Sequence, residues 1–390
     1  MNEGKYVFSQ IISFVDHHDF ERCVERYGGN YRRRSFSCWQ QFLCMAFGQM
    51  THRESLSDTV LCLNSNASKL YHMGIGRAVT KTTLSRANET GDWRIFADFA
   101  LVLIEKARRL YGADSQLEVA LKQNVFAIDS TVIDLCLNVY TWAHFRRAKA
   151  AVKLHVQLDL KNSIPCFISI TTGKVHDVNV LDLIDYEPEG FYIMDRGYKD
   201  FERLFNITQA RAFFITRAHG NLDFRWLYSR PVDRKTGVIC DQTIRLAGVN
   251  SSKRYPKNLR RIKFHDAEQD RTLVFLTNNF DLAPLEIARL YKHRWQIELF
   301  FKWIKQHLKI KSFWGYSPNA VKSQIWIAVT SYVIVAIVKK QLNLQISMYE
   351  ILQILSLNIF EKTPINTLFQ LPNLHIFKDH GRNQLTLFDF

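Results

Sequence analysis

Two short apolar segments constrain the fold of this chain most, because each runs directly into an aspartate. Residues 125–128 (VFAI) precede Asp129, and residues 191–194 (FYIM) precede Asp195. Such segments are typical of buried strands. Further strands are predicted at 152–160, 164–172 and 212–216, and helices at 178–184 and 199–205. This order of strands and helices predicts an α/β fold with a mixed sheet under helical cover.

The remainder of the chain divides by its patterning. Residues 1–115 are predicted to be a helical N-terminal DNA-binding region, and 116–216 the first part of a catalytic domain. Residues 217–280 form a β-rich insertion, with strands expected at 238–246, 259–264 and 271–277. The chain is predicted to be helical from 284 to about 342, so that 281–345 completes the catalytic domain and 346–390 forms a C-terminal tail.

A short helix at 81–89, which Thr80 can cap, is a candidate DNA-reading element. Ser85, Arg86 and Asn88 would then face the groove of the duplex. The alternative interpretation of this region is a plain helical bundle.

The charge of the chain favours a polyanionic partner. Its 390 residues include 52 Lys and Arg against 37 Asp and Glu, a formal net charge of +15. Nucleic acid or an anionic membrane surface would suit that excess, and a basic surface without a partner is the alternative. Aromatic residues lie among the basic ones, as is typical of DNA contacts. The candidate DNA contacts in the insertion are Lys253, Arg254, Lys257, Arg260 and Arg261.

Other features point to a cytoplasmic protein with no membrane partner. The seven cysteines are scattered without a CxxC pair, so neither a disulfide framework nor a zinc site is indicated. The N-terminus lacks the profile of a signal peptide. The most apolar run, 325–338, is short for a bilayer span and is predicted to be a buried core helix.

One helical segment carries an unusual combination of polar residues: Tyr291, Arg294, Glu298 and Lys305. At about 100° per residue all four point in one direction. The apolar residues of the segment fall on an adjoining arc that would bury the helix: Ile297, Phe300, Phe301, Ile304 and Leu308. The pattern suggests a metal-bound carboxylate inside a phosphate clamp, although a solvated charged face is the common fate of such residues.

Asp129, Asp195 and Glu298 together form a candidate metal site. Carboxylates at the ends of adjacent strands can converge on one crevice, and hard oxygen ligands suit Mg²⁺ or Mn²⁺. Two ions about 4 Å apart would clamp a phosphodiester. Taken singly, each aspartate could merely cap a turn. Rival site residues are Asp134, Asp159, Asp177, Asp200, His155 and His176.

The segment around Glu298 resembles the bacterial insertion-sequence transposases of the DDE class, in the insertion-sequence-four family. That family's last catalytic helix carries Tyr, two residues, Arg, three residues, Glu, six residues, Lys, and this chain matches it at Tyr291, Arg294, Glu298 and Lys305.

The first two acidic blocks of the family are matched as well. The block Asp-x-Gly-Tyr/Phe corresponds to Asp195, Gly197 and Tyr198, and the first aspartate of the family corresponds to Asp129. The resemblance implies a ribonuclease-H-like sheet, with the β-rich insertion between the second aspartate and the glutamate.

The resemblance also implies a cut-and-paste reaction. Two Mg²⁺ or Mn²⁺ ions held by the three acids would support nicking, a hairpin on the transposon end, and strand transfer into target DNA. Tyr291, Arg294 and Lys305 would hold a phosphate of the 5′ strand, and Trp295 or Trp226 would stack an unpaired base.

The implied partner is double-stranded DNA, bound by a homodimer in a paired-end complex in the bacterial cytoplasm, in association with the nucleoid. Two alternatives remain: a ribonuclease-H-like nuclease or resolvase that only hydrolyses DNA, and an inactive DNA-binding repressor derived from a transposase.

Overall fold

The structure is a computed structural model that describes residues 4–112, 117, 121–146, 149–218, 220, 222–308, 310 and 313–369. The last 21 residues of the predicted tail, 370–390, therefore lie outside the described residues.

The N-terminal region is helical, as predicted. Thr80 caps α6 by accepting a hydrogen bond from the backbone N–H of Thr83. The helices of this region are α1 (Val7–Ile12), α2 (His17–Arg26), α3 (Cys38–Met50), α4 (Leu56–Asn64), α5 (Ala67–Leu70), α6 (Lys81–Thr90) and α7 (Arg94–Tyr111).

A mixed sheet follows, and helix α8 (Phe201–Gln209) precedes its sixth strand. The first six strands are β1 (Val125–Leu135), β2 (His144–Arg146), β3 (Lys149–Asp159), β4 (Ile164–Thr172), β5 (Phe191–Met194) and β6 (Phe213–Arg217). β3 pairs antiparallel with β1 and with β4, whereas β5 is parallel to both β1 and β6.

The insertion extends the same sheet, because its last strand pairs antiparallel with β6. Its strands are β7 (Phe224–Arg230), β8 (Val238–Leu246), β9 (Leu259–Asp266) and β10 (Arg271–Thr277), and α9 (Val249–Arg254) lies between β8 and β9. The strand order is β2-β3-β1-β5-β6-β10-β9-β8-β7, with β4 pairing β3.

Helices complete the chain and cover one face of the sheet. They are α10 (Pro284–His293), α11 (Trp295–His307), α12 (Pro318–Gln341), α13 (Met348–Asn358) and α14 (Ile365–Leu368). Alternate residues of β1 enter two cores: Ala127 packs in the core that includes α7, α11 and α12, whereas Ile128 packs in the one that includes α8.

Helix α12 contains the apolar run 325–338, and the prediction of a core helix there is confirmed. Although α12 is long and apolar enough to cross a bilayer, 94% of its most apolar window is buried inside the fold. It packs against α3, α6 and α7, so the N-terminal helices share a hydrophobic core with the catalytic sheet.

Three local predictions were wrong. The segment from 284 to 342 is three helices rather than one, and the first break falls at Arg294. Residues predicted as a helix at 178–184 form the 3-10 turn Asp177–Leu183. β7 was not predicted, because its seven residues are all exposed or half-buried and show no alternation.

Candidate active site

Asp129 and Asp195 lie side by side on two neighbouring central strands of the sheet. Asp195 directly follows β5, whereas the prediction that Asp129 ends its strand was wrong, because β1 continues to Leu135. β1 and β5 are parallel, and Ile128 and Met194 are partners in their register. Each aspartate is the next residue along its strand, and neighbouring strands are about 4.8 Å apart. Both side chains are half-buried. The sequence-based prediction that these two carboxylates share a crevice is thus matched by the strand register.

Glu298 reaches this part of the sheet from the first turn of α11. The predicted apolar arc is buried: Ile297 and Ile304 are fully enclosed, and α11 packs against β1 and α12. This packing holds the polar side of the helix over the carboxyl end of the sheet.

Arg294 links two of the three acids. Its Nη1 donates to Oδ2 of Asp129 over 2.9 Å, and its Nη2 donates to Oε1 of Glu298 over 2.6 Å. The residue occupies the junction between α10 and α11, where it both ends the first helix and caps the second. The guanidinium is 16% exposed.

Tyr291 and Lys305, the other two residues of the motif, also contact the sheet close to the aspartates. The Tyr291 hydroxyl donates to Oδ1 of Asp195 over 3.4 Å, and the tyrosine ring packs against Phe275. The Lys305 ammonium donates to the carbonyl oxygen of Val132 over 2.8 Å. The alternative that these four residues form a solvated charged face does not describe the motif, because their polar groups make hydrogen bonds to β1, to Asp195 and to one another.

The pKa values of Asp129 and Tyr291 are shifted by their burial and by the charged groups around them. Burial chiefly, together with the charges of Glu298 and Asp195, raises the pKa of Asp129 to about 6 against the opposing effects of the Ser130 backbone N–H and Arg294. Burial likewise raises the pKa of the Tyr291 hydroxyl. Glu298 and Asp195 are thus close enough to Asp129 to disfavour the ionisation of its carboxyl group.

The donor set of the site is that of a hard divalent cation. Carboxylate oxygens are the ligands that Mg²⁺ and Mn²⁺ prefer. Within the described ranges, no three His, Cys, Asp or Glu side chains are grouped closely enough to hold a metal ion. The positive charge between Asp129 and Glu298 in this structure is the Arg294 guanidinium. The oxygen donors suit a divalent ion, and holding one would require both that this guanidinium release them and that the three acids draw together.

A cleft of about 900 Å³ opens beside the acids, between the insertion and α10–α11. Glu298 and Arg294 lie at its wall, and Trp295, which is 58% exposed, lines it. Basic side chains line the cleft as well: Arg234, Lys235, Arg271, Arg289 and Lys292. The cleft therefore leads from a partly basic surface to Glu298, which is the one of the three acids on its wall.

Comparison with known proteins gives the family. The model of the "Transposase DDE domain" family matches residues 120–334, which is more than half of the chain. The chain belongs to the DDE transposase family. A second model, "Domain of unknown function (DUF4372)", matches residues 3–76.

Curated proteins that are similar to this chain are also named as transposases. The chain is 38% identical over 217 residues to "Putative transposase y4zB" of Sinorhizobium fredii strain NGR234, a match that covers 55% of the chain. It is 28% identical over 256 residues to "Probable transposase for insertion sequence element IS5377" of Geobacillus stearothermophilus, covering 65% of the chain. The chain spans 60% and 66% of the lengths of these two relatives.

The insertion-sequence-four assignment is consistent with these matches. A solved structure of the piggyBac transposase synaptic complex with hairpin DNA is also similar, at 10% identity, a TM-score of 0.44, and coverage of 94% of this chain and 81% of that one.

The two tryptophans singled out in this DDE transposase have different surroundings. Trp226 is 57% exposed on β7 and pairs with Ile244, near the end of β8 that is distant from the cleft. The opposite end of β8 follows Gly237, which lines the cleft. Trp295, and not Trp226, lies where it can meet a base beside the acids.

Arg260 was wrongly predicted to be a DNA contact. It is 1% exposed, and its Nε and Nη2 donate to the two carboxylate oxygens of Asp241 over 2.8 and 2.7 Å. Its Nη1 donates to the carbonyl oxygen of Leu282 over 2.7 Å. Arg260 joins the insertion to the start of α10 and cannot reach DNA.

The other basic residues of that cluster remain candidates. Lys253, Arg254 and Lys257 are exposed, whereas Arg261 is half-buried and donates to Gln242 over 2.8 Å. Arg260 and Arg261 are successive residues of β9, and successive side chains point to opposite faces of a strand. Arg260 is therefore buried while Arg261 is only half-buried.

Two of the residues predicted to face a groove from helix α6 differ in exposure. Arg86 is exposed. Asn88 is 2% exposed and accepts a hydrogen bond from the Gln41 side chain over 2.9 Å, so it packs α6 against α3 and does not face a groove.

Sequence reasoning did not identify a polar network behind Asp129. Ser130 donates its backbone N–H to Asp129 and its hydroxyl to Asp177, over 2.8 and 2.7 Å. Asp177 also accepts from Lys153 over 3.1 Å, and His155 is packed nearby at 1% exposure. No sequence signal marks this network, because Asp177 follows a turn and its partners come from other strands.

Proposed function

We propose that this chain is a transposase that cleaves DNA at insertion-sequence ends and transfers the freed strand into target DNA. The observation that carries the proposal is the convergence of Asp129, Asp195 and the Arg294–Glu298 pair at one strand edge. Membership of the DDE transposase family supports the same reaction class.

We further infer a ribonuclease-H-like catalytic sheet. The antiparallel run β1-β3-β4 followed by β5 and β6, both parallel with β1, supports this assignment. In an open sheet with parallel strands, ligands bind outside the carboxyl ends of the strands. Asp195 follows the end of β5, and Asp129 lies beside it where the pairing of β1 with β5 stops.

The reaction proposed is a series of in-line displacements at phosphorus. Two divalent ions held by Asp129, Asp195 and Glu298 would activate the attacking oxygen and stabilise the leaving one. Water as attacking group gives a nick at the 3′ end of the element. The resulting 3′-hydroxyl attacks the opposite strand to form a hairpin, and after hairpin opening it attacks the target. One site serves every step because each step exchanges one oxygen for another at a phosphodiester.

The chain's own cationic residues would position the 5′ strand. We propose that Tyr291, Arg294 and Lys305 bind a phosphate of that strand, the cations by charge-assisted hydrogen bonds. Trp295 would stack an unpaired base in the cleft, which offsets about 1–3 kcal/mol of the cost of a tight hairpin. Trp226 is not retained in that role, because it lies away from the cleft.

DNA beyond the cleavage point would contact exposed basic residues. We propose Lys253, Arg254 and Lys257 in the insertion and Arg86 on α6 as such contacts. They would act as phosphate contacts, which position the duplex without reading its sequence. Assembly as a homodimer on paired ends, in the cytoplasm on the bacterial nucleoid, completes the proposal.

One assay separates the candidate functions. The full chain would be incubated with Mg²⁺, a labelled duplex that carries the inverted repeats flanking its gene, and a supercoiled plasmid. A transposase yields hairpin ends and end–plasmid joints. A nuclease or resolvase yields nicks or cuts without joints, and a repressor retards the duplex in a gel without cutting it. Absence of joined product with an active nuclease would contradict the proposal.

A further inference from the structure

The Arg294 guanidinium is hydrogen-bonded to two of the acids that a metal ion would need as ligands. Two of its nitrogens donate to oxygens of two different residues, Asp129 and Glu298, over 2.9 and 2.6 Å. Its Nε is buried and has no hydrogen-bond partner among the described residues. The guanidinium is thus committed to two carboxylates, while its buried Nε–H donor is unused.

A divalent ion and this guanidinium would compete. Both are cations that take their stabilisation from Asp129 and Glu298, and in a partly buried site two cations within a few ångströms repel each other strongly. The guanidinium satisfies the acids in the free protein, since a buried carboxylate without a partner is costly. Metal binding at these oxygens therefore requires that Arg294 first find another partner.

A DNA phosphate is a suitable alternative partner. The planar guanidinium binds phosphate oxygens in the same forked manner as carboxylates. Arg294 lines the wall of the cleft, so a strand that enters the cleft meets its side chain. Its position between α10 and α11 leaves it outside both regular helices.

We propose that Arg294 couples metal binding to DNA-end binding: it neutralises Asp129 and Glu298 in the free protein, and it releases them to a divalent cation when a DNA phosphate takes their place. This inference rests on the proposed function of the site. By linkage, DNA tightens metal binding and metal tightens DNA binding by the same factor. The free protein would then hold little metal and cut little DNA away from a bound end.

The first test uses Mn²⁺ alone, without DNA. Binding to the full chain would be measured by the loss of the electron paramagnetic resonance signal of free Mn²⁺, for the wild type, Arg294→Gln and Arg289→Gln. Arg289 lines the same cleft but is exposed, so its variant controls for the loss of one positive charge. We expect Arg294→Gln to bind Mn²⁺ at least tenfold more tightly than the wild type, and Arg289→Gln to stay within twofold.

Two further variants make the result specific. Glu298→Gln added to Arg294→Gln should abolish the gain, which shows that the tighter ion uses these acids. If Arg294→Gln folds poorly, as judged by circular dichroism, Arg294→Lys provides the same test, since one ammonium cannot hold both acids and a smaller gain in affinity is expected. Equal or weaker Mn²⁺ binding in the folded variants would overturn the coupling.

The second test adds a short blunt duplex that carries 5′-phosphates. It should tighten Mn²⁺ binding to the wild type at least tenfold, and to Arg294→Gln by less than twofold. An equal effect on both proteins would refute the role of Arg294. These binding measurements do not depend on DNA cleavage. If the protein joins transposon ends to the plasmid but DNA does not tighten Mn²⁺ binding, the coupling is refuted and the proposed function stands. If DNA tightens Mn²⁺ binding but no joined product forms, the proposed function is refuted.

Discussion

Lys305 donates a hydrogen bond to the carbonyl oxygen of Val132, 2.8 Å away, and so ties the second half of α11 to β1 three residues beyond Asp129. The ammonium therefore lies beside the strand edge where the acids converge, at a position from which it can reach a bound phosphate.

From this position we predict that Lys305→Ala impairs hairpin formation about tenfold or more and the first nick much less. A hydrogen bond to a charged group contributes about 1.5–3 kcal/mol, and the tight hairpin places the phosphate under the greater strain. Single-turnover gel assays of nicked and hairpin products would measure both steps. Lys302→Ala, an exposed lysine of the same helix, serves as control. Equal losses at both steps would contradict the clamp role.

Glu298→Gln should abolish cleavage and hairpin formation in Mg²⁺, while DNA-end binding measured in EDTA remains within about threefold of the wild type. The amide keeps the size of the side chain but loses the charge that a metal ligand of this type supplies. Cleavage gels and electrophoretic mobility shifts would be run on one protein preparation. Glu202→Gln, an exposed glutamate in the first turn of α8, is the matched control. Wild-type cleavage by the Glu298 variant would refute the assignment.

The pKa of Asp129 predicts a pH dependence of stability in the metal-free protein. Because its folded pKa is raised from 3.8 to about 6, the folded state binds the proton more tightly than the unfolded state. This residue therefore adds stability as the pH falls from above 6 towards 4. Urea unfolding in EDTA should show the wild type gaining stability relative to Asp129→Asn over that window. A relative loss would mean that the pKa is lowered instead.

Arg260→Ala should destabilise the fold by about 3–5 kcal/mol, because it leaves Asp241 buried without its partner. Lys257→Ala should leave stability unchanged and weaken DNA binding, since that residue is exposed. Urea midpoints and binding at several salt concentrations would distinguish the two roles. A stable Arg260→Ala protein with weakened DNA binding would restore the original prediction of a DNA contact.

Trp295→Ala should reduce hairpin yield, whereas Trp226→Ala should not, because only the former side chain lines the cleft. Loss of a stacking platform costs about 1–3 kcal/mol per base. Fluorescence of 2-aminopurine placed near the transposon end would report the stacked base directly. The two tryptophans have nearly equal exposure, 58% and 57%, so each variant controls for the loss of a surface aromatic residue. A lower hairpin yield in Trp226→Ala, with no change in Trp295→Ala, would mean that the unpaired base stacks on Trp226.

Local structure was predictable wherever burial imposes a pattern. The strands predicted at 191–194, 238–246 and 271–277 have the same bounds in the structure. Their apolar residues are selected by contact with a core, and that selection is visible in the sequence. β7 was missed because an edge strand with no buried face leaves no such pattern.

The break at Arg294 was missed for a different reason. The segment contains no Gly or Pro, and its residues are good helix formers, so propensity predicts continuity. In the fold, both helices pack against the sheet, and tertiary contacts override that weak preference. The side chains nevertheless stay directed at the strand ends.

The sequence by itself determined which residue types reach the site: two aspartates that each follow a buried apolar run, and one helix segment with a glutamate, an arginine, a tyrosine and a lysine. Only the tertiary structure decided their partners. The contact between Arg294 and Asp129 spans 165 positions, and the register that pairs Ile128 with Met194 spans 66. Periodicity records which face of an element is buried, but it carries no information about which distant element supplies the opposing side chain.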